Sequence, residues 1–200
     1  NRPVYGFKSR GLDGKEEFTS IPELASHYLN DLRVIQPHGP YYLGGYCFGG
    51  NVAFEMARQL QAGGEEVAVL ALLNCAPPNS SYMRIPWTPR WAVRLARNLV
   101  YWAAYFWSWS SSQRKEFFRW KLGRVVRWLR ATGNSDTCRG QLEAANLVDL
   151  SAYSEEQRKV WEAHIKALVN FHPKPLNGRV HLFRSPGHPL WCSFEPDYGW

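Results

Sequence analysis

Residues 41–57 read YYLGGYCFGGNVAFEMA, an apolar run of strand length that passes through a glycine-rich turn straight into a helical pattern. This junction constrains the fold more than any other stretch. The helix, over Phe48–Gln61, is closed by Gly63-Gly64, and a second apolar run, VAVLALL at Val67–Leu73, follows at once. A strand–helix–strand unit with so short a crossover implies two parallel strands in one sheet. The unbroken apolar character of Val67–Leu73 is that expected of a strand buried on both faces. Pro3–Phe7 and Arg179–Ser185 read as further strands. Ser20-Ile-Pro-Glu23 is a capping-box pattern with proline in the first turn, so a helix is expected there. Leu24, Tyr28, Leu32 and Ile35 line one face of it, and Pro37-His38-Gly39-Pro40 ends it. The expected fold class is α/β with a parallel sheet.

The block between the strands at 67–73 and 179–185 is too long for one crossover helix. From about 85 to 172 it reads as helical and rich in Trp and Arg, with its last helix starting at the capping box Ser154-x-x-Gln157. The expected organisation is one domain over 1–200, with 1–84 and 173–200 forming the core and about 85–172 a helical lid insertion. The chain opens on NRPVYGF, already inside a strand pattern and without an initiator methionine, and closes on FEPDYGW. Both ends therefore read as truncated.

The formal net charge of +7 is unevenly spread. Arg84 to Arg130 holds eleven Arg or Lys and one acid, Glu116, so the rest of the chain is net negative. The basicity needs a local explanation. Cys47, Cys75, Cys138 and Cys192 form no CxxC pair and no metal-ligand spacing, which fits free thiols in a reducing compartment and no metal site. The longest apolar run, Asn98 to Trp109, is well short of the roughly 20 residues a bilayer span needs. No signal segment opens the chain, and a cytoplasmic protein is expected.

Gly45-Tyr46-Cys47-Phe48-Gly49 matches G-x-[SC]-x-G between strand and helix. In such an elbow the nucleophile sits on a sharp turn, and small residues two before and two after it let strand and helix approach. Cys47 is then the candidate nucleophile, at a helix N-terminus whose dipole and open N–H groups favour negative charge. The N–H of Phe48 is the candidate donor for half of an oxyanion hole. A buried structural cysteine in a glycine-rich turn is the plainer alternative.

The resemblance becomes specific over RPVYGFKSRGLDGKEEFTSIPELASHYLNDLRVIQPHGPYYLGGYCFGGNVAFEMARQLQAGGEEVAVLALL. It returns at LVDLSAY, at VWEAHIKALVNFHPKPLNGRVHLFR and at FEPDYGW. These segments resemble the thioesterase domains that end polyketide and nonribosomal peptide assembly lines. The resemblance implies an α/β-hydrolase fold with a helical lid. It also implies an acyl or peptidyl substrate held as a thioester on the phosphopantetheine arm of a carrier protein, with no cofactor bound directly. The carrier is expected in the same longer chain. The family nucleophile, usually Ser and sometimes Cys, falls on Cys47. The acid position after the next strand falls on Asn74, in LLNCAPP. The family histidine lies beyond the final strand, after Trp200, and the first oxyanion loop before Asn1.

A serine must lose its proton during attack, so its histidine benefits from a carboxylate behind it. A cysteine can rest as a thiolate beside an imidazolium, and an amide can then orient the ring, as in Cys-His-Asn proteases. Cys47 with Asn74 reads as one coupled choice. The rivals are an acid from Glu195 or Asp197, which sit in a turn-like Glu-Pro-Asp-x-Gly-Trp stretch, and a domain without catalysis. Of the six histidines, His27, His38, His164, His172 and His181 are expected to be structural; His188, in SPGHPLW, is the least poor substitute for the base. The aromatic run from Trp87 to Trp109 is expected to pack the lid or line an acyl channel. RKEFFRWKLGRVVRWLR, residues 114–130, reads first as a solvated face with snorkelling arginines, second as a carrier-docking surface, and last as a nucleic-acid site; membrane association is not expected. The competing functions are a dienelactone-hydrolase-like enzyme, whose elbow also uses G-x-C-x-G but without a comparable lid, and a non-catalytic docking module.

Overall fold

A computed structural model of the chain describes residues 3–8, 18–78, 80–119, 154–188 and 192–200. Ser20 starts helix α1 (Ile21–Ile35) with its Oγ accepting from the N–H of Glu23. Glu23 reaches one residue further back than a standard capping box, accepting from the N–H and hydroxyl of Thr19. Strand β1 (Tyr41–Tyr46), helix α2 (Phe48–Ala62) and strand β2 (Val67–Leu73) follow. Strand β3 (Val180–Phe183) completes a sheet of order β1-β2-β3, parallel throughout, with Gly45 opposite Leu72 and Leu72 opposite Leu182. The expected α/β class with a parallel sheet is what forms.

The core lies between α1, α2 and one face of the sheet. Ile21, Leu24, Leu60, Leu70 and Leu72 are almost wholly removed from water, and each such side chain stabilises the fold by roughly 1.5–3 kcal/mol before entropy is counted. Glu55 is buried on α2 without being orphaned: Arg58 bonds both of its oxygens and Gln59 bonds one. A charge taken out of water needs such partners.

Three sequence expectations change. Val67–Leu73 is fully buried on one side only, at Leu70 and Leu72, while Leu73 is exposed. Residues 3–8 form no strand. No described strand runs beside them to complete a ladder, and they are held by side chains, Phe7 stacking on Tyr28 and Tyr28 donating to the Lys8 carbonyl. The third strand is shorter than Arg179–Ser185, because pairing with β2 covers only Val180–Phe183.

The chain divides into two compact units. The first comprises Asn1–Ile85, Ala152–Ser185 and Trp191–Trp200; the second comprises Pro86–Ser151 and Pro186–Leu190. Helix α3 (Pro89–Ser108), capped by the Thr88 hydroxyl, and a further helical segment over 111–119 belong to the second unit. Helix α4 (Glu155–Val169), read from sequence as the last part of the insertion, clusters with the sheet, and its Ser154–Gln157 capping box is fully formed. Cys138, LVDLSAY up to Tyr153 and the basic stretch beyond residue 119 lie outside the described residues. No helix among the described residues is long and apolar enough to cross a membrane.

Candidate active site

Cys47 stands between the last residue of β1 and the first of α2, at φ 52° and ψ −117°. L-residues rarely adopt such a backbone, and where it occurs it aims a side chain that a relaxed turn would not. Its own N–H donates to the Leu73 carbonyl at 3.0 Å and its carbonyl accepts from Gly50 at 3.0 Å. The thiol is exposed. Phe48 is the first residue of α2, so its N–H has no carbonyl four residues back and projects from the helix end.

The glycines divide the steric task differently from the motif. A Cβ on Gly45 would collide with the carbonyl of Gly49. A Cβ on Gly50 would come within 2.7 Å of both Cβ and Sγ of Cys75. A Cβ on Gly49 would meet open space. The close approaches are therefore those of Gly45 and Gly50; at Gly49 the backbone carbonyl, rather than the missing side chain, is the crowded group. Gly50 and Cys75 were missed from sequence because only the folded turn brings them together.

Cys75 is the floor of the elbow. It is buried, its carbonyl accepts from Trp200 Nε1 at 2.7 Å, and the Trp200 ring packs on Phe54. Burial, with Cys47 a smaller contributor, pushes its thiol up to about 12, so it stays protonated. Cys192 is also buried. Among the described residues Cys47 is the one exposed thiol, and no cluster of three or more His, Cys, Asp or Glu suited to a metal ion occurs.

Asn74 follows β2 in a left-handed conformation, φ 45°. Its N–H donates to the Phe183 carbonyl at 2.8 Å, and its Oδ1 accepts from the Ser185 N–H at 2.6 Å. Because the partner is a backbone donor, the acceptor has to be the amide oxygen, which fixes the orientation of the side chain. Cys47 and Asn74 thus both sit at the carboxyl ends of adjacent parallel strands, where open α/β sheets place their ligands.

The histidines are engaged in other ways. His27 pairs with Asp31 and His38 with Glu65. His172 contacts the Asn170 carbonyl, and His181 lies on β3. His188, in the second unit, is held through its backbone by Asn98 and Trp102. Asp197 accepts from the Gly199 N–H at 2.9 Å, the turn role its sequence context implied, and Arg184 donates to the carbonyl of Glu195.

His164, on α4, stacks on the ring of Phe48 with centroids 4.4 Å apart, and lies 5.0 Å from that of Phe18. Burial there holds its pKa below the ordinary histidine value. The unfolded chain therefore takes up a proton first as pH falls, so this contribution to stability is complete above about 6.5 and is lost as pH drops towards the folded-state value. We expect the melting temperature to fall between pH 7.5 and 5.5, and to fall less in His164→Phe, which keeps an aromatic ring in the stack without a titrating group. Identical falls in the two proteins would disprove the assignment.

Residues 3–89 match the family model described as thioesterase domain. The chain is 46% identical over 85 residues to the nonribosomal peptide synthetase apvA of Aspergillus terreus, a match covering 42% of this chain and 9% of that relative. It is 49% identical over 74 residues to malpibaldin synthetase of Mortierella alpina, covering 36% of this chain and 1% of that one. Among solved structures, a four-domain nonribosomal peptide synthetase aligns over 96% of this chain and 14% of its own, at 25% identity and a TM-score of 0.55. The chain thus spans a small fraction of each of these proteins.

Proposed function

We propose that the chain, whose residues 3–89 match the thioesterase-domain family model, releases an acyl or peptidyl group from a carrier protein through an acyl-Cys47 intermediate. The observation that carries this reading is the left-handed backbone of Cys47, which holds an exposed thiol at the open N-terminus of α2. The substrate is a thioester on the phosphopantetheine arm of a carrier, expected in the same longer chain because the match covers only a small part of each relative.

The Cys47 thiolate attacks the thioester carbonyl carbon, and the oxygen that becomes negative meets the N–H of Phe48. The carbon–sulfur bond to pantetheine then breaks and its sulfur leaves with a proton. The product, a thioester on Cys47, lies close in energy to the one consumed, so the acyl group stays activated for water, a hydroxyl or an amine. That final attack frees Cys47 and sets the outcome as hydrolysis, cyclisation or transfer. The proton acceptor in this reading is a histidine that follows β3 in the family order, and Asn74 orients its ring.

Incubation with an acyl-pantetheine thioester, followed by intact and peptide mass measurement, tests the proposal. One acyl mass is expected on the peptide holding Cys47, with buried Cys75 and Cys192 unlabelled. No adduct on Cys47 would leave the docking-module reading, and faster turnover of a lactone than of the thioester would favour the lactone hydrolase.

A further inference from the structure

Helix α3 is apolar on two faces. Val93, Ala96, Val100, Ala103, Ala104 and Trp107 recur at the spacing of a single helix face, and that face is turned to solvent. Val93 is 61% exposed, Val100 70% and Trp107 72%. The opposite face is the covered one, with Trp91 6% and Asn98 5% exposed. Asn98 exchanges two hydrogen bonds with the backbone of His188, and Trp102 Nε1 donates to the same carbonyl at 2.8 Å. A helix serving only its own unit needs one apolar face and carries polar residues on the other. An outward apolar stripe about four turns long marks a surface that meets something other than water.

The charges identify the partner. Arg90, Arg94 and Arg97 recur at helical spacing along one border of the stripe, and Arg90 and Arg97 are exposed. Residues 111–119 add Arg114, Lys115 and Arg119, beside Phe118, which is 61% exposed. Across 86–119 six cations face a single acid, Glu116. Two copies meeting through α3 would bring their arginine borders together with too few acids to offset them. One helix face also offers well under the roughly 800 Å² per partner of a standard interface. An apolar stripe with an exposed Trp and an arginine border is instead the pattern of a helix lying in a lipid interface, its valines among acyl chains and its arginines reaching the phosphates.

We propose that the outward face of α3, bordered by Arg90, Arg94 and Arg97, docks on an anionic lipid bilayer. This revises the sequence expectation of no membrane association, which could not register which face of the helix was covered. It stands independently of the thioesterase reading.

The test is co-sedimentation of the full chain with phosphatidylcholine vesicles, with and without phosphatidylglycerol. Binding is expected to the anionic vesicles, at least tenfold tighter than to the neutral ones and weakened by salt. Arg90→Gln and Arg97→Gln should each weaken it about fivefold at low ionic strength. Val100→Gln should weaken it about tenfold without lowering the melting temperature, since the side chain is already exposed. Four outcomes would overturn the proposal: no binding; equal binding to both vesicles; a Val100→Gln protein that binds as well as the parent, the signature of a purely polyanionic partner such as RNA; or a Val100→Gln protein that melts several degrees lower, showing that the chain itself covers the face.

Discussion

Replacing Cys47 with serine is expected to slow acyl-enzyme formation by about 10⁴-fold, and adding Asn74→Asp is expected to recover much of that loss. A serine hydroxyl gives up its proton as it attacks, and the imidazolium so formed lacks a carboxylate when the residue behind it is an amide; exchanging the carboxylate for an amide in a serine triad costs about that factor. Asn74 offers a clear structural reason. Its carbonyl oxygen already accepts from Ser185, which leaves one lone pair for a ring N–H and no negative charge to stabilise an imidazolium. An aspartate could keep the Ser185 bond with one oxygen and present the second to a ring N–H. In the cysteine background the same Asn74→Asp change should alter acylation less than tenfold, because the thiolate needs no proton transfer at the moment of attack. Single-turnover acylation of the four proteins, in the complete enzyme, gives the cycle. A coupling above about 2 kcal/mol supports one joint choice of thiol and amide. Additive effects would mean that Asn74 acts only as the clasp between β2 and β3.

The second large effect is on stability. Gly45→Ala should cost more than about 3 kcal/mol, because the new methyl would meet a backbone carbonyl of α2's first turn and the strand and helix would have to separate. Gly50→Ala should cost about 2–3 kcal/mol against the buried Cys75 side chain. Adding Cys75→Gly should return part of that cost. Gly49→Ala, with open space around its Cβ, should be neutral or stabilise by up to about 1 kcal/mol through helix propensity. Urea-unfolding midpoints rank the three. A Gly49→Ala protein less stable than Gly50→Ala would refute this account of the elbow.

Local rules carried the sequence reading far in the first half of the chain. Ser20, the prolines, Gly63-Gly64 and the apolar runs mark α1, β1, α2 and β2 nearly to the residue, since caps and turns act within four positions. The elbow was legible because its motif is itself local. What stayed hidden depends on distant partners. The Asn74–Ser185 bond joins residues 111 apart, and Cys75 meets Gly50 only after β1 and β2 pair. Residues 3–8 have the composition of a strand, but a ladder needs a neighbour. The face of α3 is periodic in sequence, yet periodicity alone does not say which side the chain covers.

The sheet register carries a consequence for how the site comes into being. β1 and β2 pair across a crossover of about twenty residues, whereas β2 pairs with β3, Leu70 opposite Val180, from more than a hundred residues away. Closing the longer loop costs more chain entropy and takes longer. On a ribosome, where the chain emerges from its N-terminus, the turn that presents Cys47 can be shaped well before Ser185 exists to hold Asn74. The thiol is therefore the older half of the site in the life of each molecule, and the amide is locked into place last.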